Sequence, residues 1–340
     1  MQNDGELLTA RTHGAGCILG AEGTETSTER SHSGTMGTVM FERDSSEYRR
    51  LFGVAYRILG SVHDAEDAVQ EGFERWQRLT ADERDAIREP MGWLTRVVSR
   101  ICLDELKSAR SRRENYVGIW LPEPLLGEAV SVTLPVTSVD PHDSVSLDES
   151  ISLALLVAME QLTPPERVSL ILHDVFGMPF GEIGEIVGRT ADACRQLATS
   201  ARRNVRSRPR FDVNGSERDA VVGAFARACM DGNLEALAAV LDPEVISRAD
   251  GGEHIHAARK ALRGANAVAV YLLGVLGQQR NRGAAVVPSL EPVNGRTGIV
   301  LREGRSIVAV VDLAVADGAV REIALVVNPE KIDTPLTPHV

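Results

Sequence analysis

The apolar positions of this chain recur first at helical spacing and later at strand spacing. Tyr48, Leu51, Phe52, Ala55, Tyr56, Ile58 and Leu59 make one helical face that stops at Gly60. Ser61 can cap a second helix, with Ala65, Ala68, Val69, Gly72, Phe73 and Trp76 inward. A polar connection from Leu79 to Pro90 leads to a long helix that buries Trp93, Leu94, Val97, Val98, Ile101 and Leu106. Further on, Thr163 and Glu166 have capping-box spacing around Pro164, and Val168, Ile171, Leu172 and Val175 continue that helix. Gly177 and Pro179 break it. Phe180, Ile183, Ile186 and Val187 form a short stripe closed by Gly188, and Thr190 can cap a last helix that buries Cys194, Leu197, Ala198, Ala201 and Val205. Helix, glycine-containing turn and helix at this spacing predict a helix-turn-helix.

Past Asn214-Gly215 the pattern changes. An amphipathic helix is expected over Glu217 to Met230, and a second over 231–245, opened by Asp231-Gly232 and stopped by Asp242-Pro243. A third runs from Lys260 to Leu276. β-rich runs follow, punctuated by Asn294-Gly295, Glu303-Gly304 and Asp317-Gly318. Helices first and an antiparallel sheet afterwards make an α+β unit of roughly 115 residues. Two stretches lack either period. Residues 1–40, rich in Gly, Ser, Thr and Glu, predict a disordered extension, and Met36 and Met40 offer later starts for the native product. Residues 114–147 form a linker with four prolines, yet Trp120, Leu121, Leu125 and Leu126 in it need somewhere to bury.

At 340 residues the chain suits two or three domains, and its net charge of −11 is unevenly spread. Arg189 to Arg210 holds seven arginines against one acid, Asp192. Arg195, Gln196, Thr199, Arg202 and Arg203 lie on the outward face of the last helix, with Arg189 and Thr190 at the turn. Such side chains neutralise phosphates and reach base edges in a major groove. The long helix sets Arg96, Arg100, Lys107, Arg110, Arg112 and Arg113 against Asp104 and Glu105. Trp93 near its start reads either as core or as a platform for bases. The second helix turns Asp64, Glu66, Asp67, Gln70, Glu71 and Glu74 outward, as a solvated face or a dock for a basic partner. The four cysteines are scattered without metal-ligand spacing, which fits a reducing compartment. No apolar run reaches membrane-spanning length and no signal segment is read, so a cytoplasmic location is expected. In the last unit Asp250, Glu253, His254 and His256 are the candidates for acid–base or metal chemistry. His254 and His256 alternate as strand neighbours would, but no third metal ligand is evident and Gly251-Gly252 makes a turn beside them, so neither catalysis, metal nor cofactor is expected.

The run GSVHDAEDAVQEGFERWQ (60–77), then EPMGWLTRVVSRICLDELKSARSR (89–112), then the helix-turn-helix, resembles an extracytoplasmic-function (ECF) RNA polymerase sigma factor. The W-L-x-x-V-x-x-R-x-x-x-D pattern is matched at Trp93, Leu94, Val97, Arg100 and Asp104, and D-A-E-D-x-x-Q-E from Asp64 to Glu71. The resemblance implies that Asp64, Asp67, Gln70 and Glu71 dock on the β′ clamp helices of core polymerase. Trp93, Arg96, Arg100, Lys107 and Arg110 would melt and read the −10 element, aided by a loop from Thr80 to Glu89. Arg189, Thr190, Arg195, Gln196, Thr199, Arg202 and Arg203 would serve the −35 element, with the preceding helix on the β flap.

The linker motif Trp120-Leu121-Pro122-Glu123-Pro124 and the ending Asn328-Pro329-Glu330-Lys331-Ile332 are similar to the SigJ-like subgroup, which carries a fused C-terminal SnoaL-like domain. The subgroup's D-G-G-G-K motif is only partly present, as Asp250, Gly251 and Gly252 followed by Glu253. The implied fold is multidomain: two all-α sigma domains (41–113 and 148–210) joined by the linker 114–147. An α+β SnoaL-like or NTF2-type cone (215–332) and a tail (333–340) follow. Trp120 to Pro124, Asp250 to Gly252, Asn328, Pro329 and Lys331 would hold the cone against the sigma domains as a built-in regulator, with or without a small ligand in the cone. The alternative is a conventional helix-turn-helix regulator whose cone senses a ligand and which binds duplex DNA without polymerase.

Overall fold

Capping residues set the ends of the first helices in the computed structural model, which describes residues 45–114, 116–126, 152–206, 215–283 and 285–332. The extension 1–40, the tail 333–340 and most of the linker lie outside the described residues, as do the side chains of 109–114. Helix α1 (Ser46–Leu59) starts where Ser45 Oγ accepts from Tyr48 N and ends at Gly60, whose φ of 71° is left-handed. Ser61 caps α2 (Val62–Gln77) by accepting from Asp64 N. The polar connection holds an unforeseen short helix, α3 (Ala81–Ala86), nucleated by a Thr80–Glu83 capping box. Helix α4 (Pro90–Glu114) then packs on α1 and α2; Gly72 allows this, since a Cβ there would lie 2.6 Å from Val98 Cγ2.

After the linker come α5 (Leu153–Met159) and α6 (Pro164–Leu170), the latter continuing through a π-helical turn, Ile171–Val175. The pair α7 (Phe180–Val187) and α8 (Ala191–Arg206) forms the helix-turn-helix. One apolar core runs through these helices, the short α3 excepted, from Leu51, Ile58 and Val98 to Ile171, Ile183 and Cys194. The two helical domains are therefore packed together rather than held apart.

The remaining unit is α+β. Helices α9 (Gly215–Asp231) and α10 (Leu234–Val240) precede β1 (Leu241–Asp250), β2 (Leu262–Arg263) and α11 (Ala265–Asn281). Strands β3 (Val286–Val293), β4 (Arg296–Glu303), β5 (Ser306–Ala316) and β6 (Ala319–Val326) form a meander, and a short α12 (Pro329–Ile332) closes the chain. The sheet order is β2-β1-β6-β5-β4-β3, with β1 parallel to β6 and the other pairs antiparallel. Two of the hairpins turn through Asn294-Gly295 and Asp317-Gly318, all four residues having positive φ, as a two-residue turn of the right twist requires. One face of the sheet packs Ile299, Val311, Leu313 and Ile323 against Val222, Phe225 and Val268 of the helices. The other face packs Val300, Val310 and Val326 against Leu153 and Val157 of α5 and Leu121 of the linker.

Two element boundaries and the placement of two histidines differ from the sequence reading. The helix expected over 231–245 ends at Val240, because 241–250 join the sheet. Pro243 is tolerated there by a register shift between Leu241 and Ile246. The helix expected from Lys260 begins at Ala265, since Leu262 and Arg263 pair with β1 first. His254 and His256 follow the strand in an exposed loop and are not strand neighbours.

Candidate nucleic-acid interface

The helix-turn-helix depends on two glycines. Gly188 ends α7 with φ 71°, and a Cβ on Gly184 would lie 2.6 Å from Arg189 O, so the chain crosses Gly184 at a distance no side chain permits. Thr190 Oγ1 accepts from Ala193 N at 3.2 Å and caps α8. Arg189, Thr190, Arg195, Gln196, Thr199 and Arg203 all face solvent. Arg195 is steadied by Asp192 at 2.6 Å and by the Phe180 ring at 5.5 Å. Arg202 is placed differently. It grips the buried Asp174 through two bonds of 2.7 and 2.5 Å and so fixes α8 to the π-helical turn.

The basic helix α4 is arranged otherwise. Trp93 is half-buried, edge-on to Trp76 with centroids 5.4 Å apart, so it is at once core and rim. Arg96 Nη1 lies 3.1 Å from Glu182 Oε2, and Arg100 Nη2 donates to Glu185 O at 2.9 Å. Both arginines are thus taken by α7. Lys107 pairs with Asp104 at 2.8 Å, and the Arg110 side chain lies outside the described residues. On α2, Asp67, Gln70 and Glu71 are exposed and Asp64 is half-buried, leaving an acidic face open to solvent.

Between these helices and the cone lies the linker motif. Glu123 is buried and lays its carboxylate on the start of α2, accepting from Ser61 Oγ at 2.9 Å and Val62 N at 2.7 Å. Burial pushes the Glu123 carboxyl up, against the pull of those two donors. Its backbone N donates to Gly60 O at 2.9 Å, and its carbonyl accepts from Tyr56 Oη at 2.6 Å. Tyr56 Oη in turn accepts from Asn294 Nδ2 at 2.8 Å, and Asn294 Oδ1 accepts from Leu125 N at 2.9 Å. Burial raises the Tyr56 hydroxyl far above its usual value, so it stays a donor. Pro122 and Pro124, both buried, keep the motif extended between its two partners.

A second cluster holds the motif's start. Asp250, fully buried, accepts from Tyr116 Oη at 2.6 Å and Gly252 N at 3.1 Å through Oδ1. Its Oδ2 accepts from Leu121 N and Lys331 Nζ, both at 2.8 Å. Lys331 Nζ also donates to Leu121 O at 2.5 Å and lies 4.1 Å from the centroid of the Trp120 ring. Asn328 Nδ2 donates to Tyr116 Oη at 3.0 Å, and Pro329 opens α12, which carries Lys331. Gly251 and Gly252 are glycine by necessity. A Cβ would fall 2.1 Å from Ile255 O at the first and 2.7 Å from Asn328 Cγ at the second, where φ is also +61°. The carboxylate expected beside a histidine is therefore a structural anchor. His254 reaches only Glu330, at 3.3 Å on the surface, and no group of three His, Cys, Asp or Glu able to hold a metal occurs among the described residues.

The residues that the sequence reading missed are Tyr56, Tyr116 and Asn294. Tyr56 looked like one more member of an apolar stripe, and Asn294 like turn chemistry alone. Arg167 was also passed over. It bonds the Arg57 carbonyl at 3.3 Å and thereby ties α6 to the end of α1.

Two helical domains with a basic helix apiece, one of them a helix-turn-helix, define a DNA-binding transcription protein. The Sigma-70 region 2 family matches residues 45–112, and the Sigma-70 region 4 family matches 152–205. ECF RNA polymerase sigma factor SigJ of Mycobacterium tuberculosis is 36% identical over 294 residues, covering 83% of this chain and 90% of that protein. Probable ECF sigma factor SigI of the same species is 36% identical over 286 residues, covering 83% and 91%. The crystal structure of SigJ superposes with a TM-score of 0.66 at 31% identity, over 86% of this chain and 98% of that one. The chain belongs to the ECF RNA polymerase sigma factors. It directs core polymerase to promoter DNA and is not an enzyme. No described helix is long and apolar enough to cross a membrane.

Proposed function

We propose that this sigma factor, working in the cytoplasm, is kept in a closed arrangement by its own C-terminal domain. The observation that carries this reading is the occupation of Arg96 and Arg100 by α7 while the linker is bonded on both sides. Promoter elements at −35 and −10 are about 25 base pairs apart, on the order of 85 Å of duplex at the usual rise. Helices α4 and α7 touch, so region 2 and region 4 must part before both elements are read. Anything that tightens the junction disfavours that parting.

In the opened form Arg189, Thr190, Arg195, Gln196, Thr199 and Arg203 meet the −35 element, and Arg202 positions α8 through Asp174. Trp93, Arg96, Arg100, Lys107 and Arg110 act at −10, while Asp64, Asp67, Gln70 and Glu71 dock on the β′ clamp helices. Trp120 to Pro124 with Asp250, Gly251, Gly252, Asn328, Pro329 and Lys331 form the regulatory lock. Domain limits near 41–113, 114–147, 148–210 and 215–332 suit these roles.

The test is run-off transcription with core polymerase on promoters selected from the host genome. The full chain is compared with one ending near Asp212 and one lacking Asn328 to Val340. Both truncations are expected to raise core-dependent output. Equal output from all three would remove the regulatory role, and duplex binding by the protein alone, without transcripts, would favour a conventional regulator.

A further inference from the structure

The segment that leads from β1 to α11, a loop ending in the short strand β2, carries Arg259 and Lys260 in the loop and Arg263 on β2, all exposed. None of the three side chains has a hydrogen bond or ion pair among the described residues. Elsewhere in the cone Arg218, Arg248, Arg302 and Arg321 each lie against a carboxylate. The loop's own acid is Glu253, and the neighbouring Glu330 is engaged by His254 at 3.3 Å. Three exposed cations without carboxylate partners on one short segment create a local positive potential that attracts an anion.

Their position is what gives them meaning. A Cβ on Gly118 would lie 3.8 Å from Arg259 Cα, so the loop touches the linker just after α4. Gly118 is four residues beyond Glu114, the last residue of α4, a reach of at most roughly 14 Å. Val117, Gly118, Gly252, His256 and Arg259 line a crevice of about 40 Å³ at that meeting point. The Asp250 cluster fixes the loop there: its carboxylate holds Tyr116 and Gly252 at once. The basic run of α4, from Arg96 to Arg113 in the sequence, thus leads directly to a second basic segment on the cone.

The geometry points to the loop of Arg259, Lys260 and Arg263 as an extension of the −10 DNA surface, gripping the phosphate backbone of promoter DNA next to the end of α4. This rests on the assignment of α4 to the −10 element. The cone then has two opposed effects on the same reaction. Its sheet and lock restrain opening, and its basic loop adds affinity once the duplex is bound. The contact is assigned to phosphates, which exposed cations neutralise wherever they lie along the backbone and without a base-specific geometry.

The test uses full-length protein with core polymerase and a promoter fragment, comparing wild type with the triple variant Arg259→Ala, Lys260→Ala, Arg263→Ala. Promoter affinity is measured between 50 and 200 mM salt. Three lost phosphate contacts lower the salt slope by about 2.7, so wild-type affinity should fall about 40-fold more than the variant's over that range. The loss should be equal on a fragment with a mutated −10 sequence. Unchanged affinity and slope would overturn the proposal. So would a variant whose saturated holoenzyme binds DNA normally but whose affinity for core has dropped, because the loop would then face polymerase. If wild type itself shows no core-dependent promoter binding, the −10 assignment fails and not the loop. Since all three side chains are exposed, an unchanged unfolding temperature checks that the variant is folded.

Discussion

Helices α4 and α8 are alike in sequence, each a stripe of apolar residues backed by arginines, and unlike in the folded chain. On α8 and the turn before it, Arg189, Arg195, Gln196 and Arg203 stand in solvent, and Arg202, turned inward, braces the helix. On α4, the two arginines nearest Trp93 are already satisfied by an acid and a carbonyl of α7. The basic face proposed for −35 thus stands open, while two arginines of the face proposed for −10 are engaged by the helix that precedes α8. Charge in a sequence states what a helix can bind, and packing decides whether that face is free to do so.

The strongest way to break this difference is to open the lock. Lys331→Met leaves the carboxylate of Asp250 buried without its cation, a change that typically costs about 3–5 kcal/mol. The cost should appear as a lowered unfolding midpoint, with higher run-off output as α4 becomes as accessible as α8. A stable variant with unchanged output would separate the lock from the covering of α4.

Next in size is Glu123→Ala, which strips the acceptor from Ser61 Oγ and Val62 N and should cost about 2–3 kcal/mol in thermal or denaturant unfolding. Glu123 also confers a pH dependence. Its carboxyl is raised in the closed form, so that form binds the proton more tightly than the open one. The resulting stabilisation is complete below the ordinary carboxylate value and is lost as pH rises through the raised one. Asp312, raised by burial beside Arg218, acts with the same sign. The difference between wild type and Glu123→Gln therefore isolates the linker's share, and identical pH profiles for the two would exclude it.

Arg195→Ala should cost about 1–3 kcal/mol in promoter binding if its guanidinium pairs with a guanine. The readout is competition between promoters altered at −35, and an unchanged preference would remove Arg195 from base reading. The smallest effect is expected from Glu182→Gln. The Arg96–Glu182 pair is partly exposed, with side-chain accessibilities of 36% and 43%, so it contributes only about 0.2–1 kcal/mol. Its loss should raise promoter affinity at most about fivefold, and less at high salt.

Much of the architecture was legible because it is written in neighbours. Ser61, the Thr163–Glu166 box, Gly188 and the Asn294-Gly295 and Asp317-Gly318 turns act on residues one to four positions away, and each was found where the pattern put it. The extent of β1 was not, since a strand beginning at Leu241 exists only because β6 lies alongside. The short α3 was hidden inside a run that looked merely polar. Of the candidate site, the outward arginines of α8 could be read from helical period. The bonds of Arg202, Arg96 and Arg100 could not, because their partners lie on other helices.

By itself the sequence determined the main helices, the β-rich C-terminal run, the helix-turn-helix, the two basic helices and the need of Trp120, Leu121 and Leu125 for a buried place. Those follow from period, capping and composition, which operate along the chain. Tertiary structure alone decided that Glu123 would cap α2, that Asp250 would serve Lys331 and Tyr116, and that Asn294 would bond Tyr56 across 238 residues. A buried polar group must find its partner wherever the fold supplies one, and no local pattern records which distant residue that is.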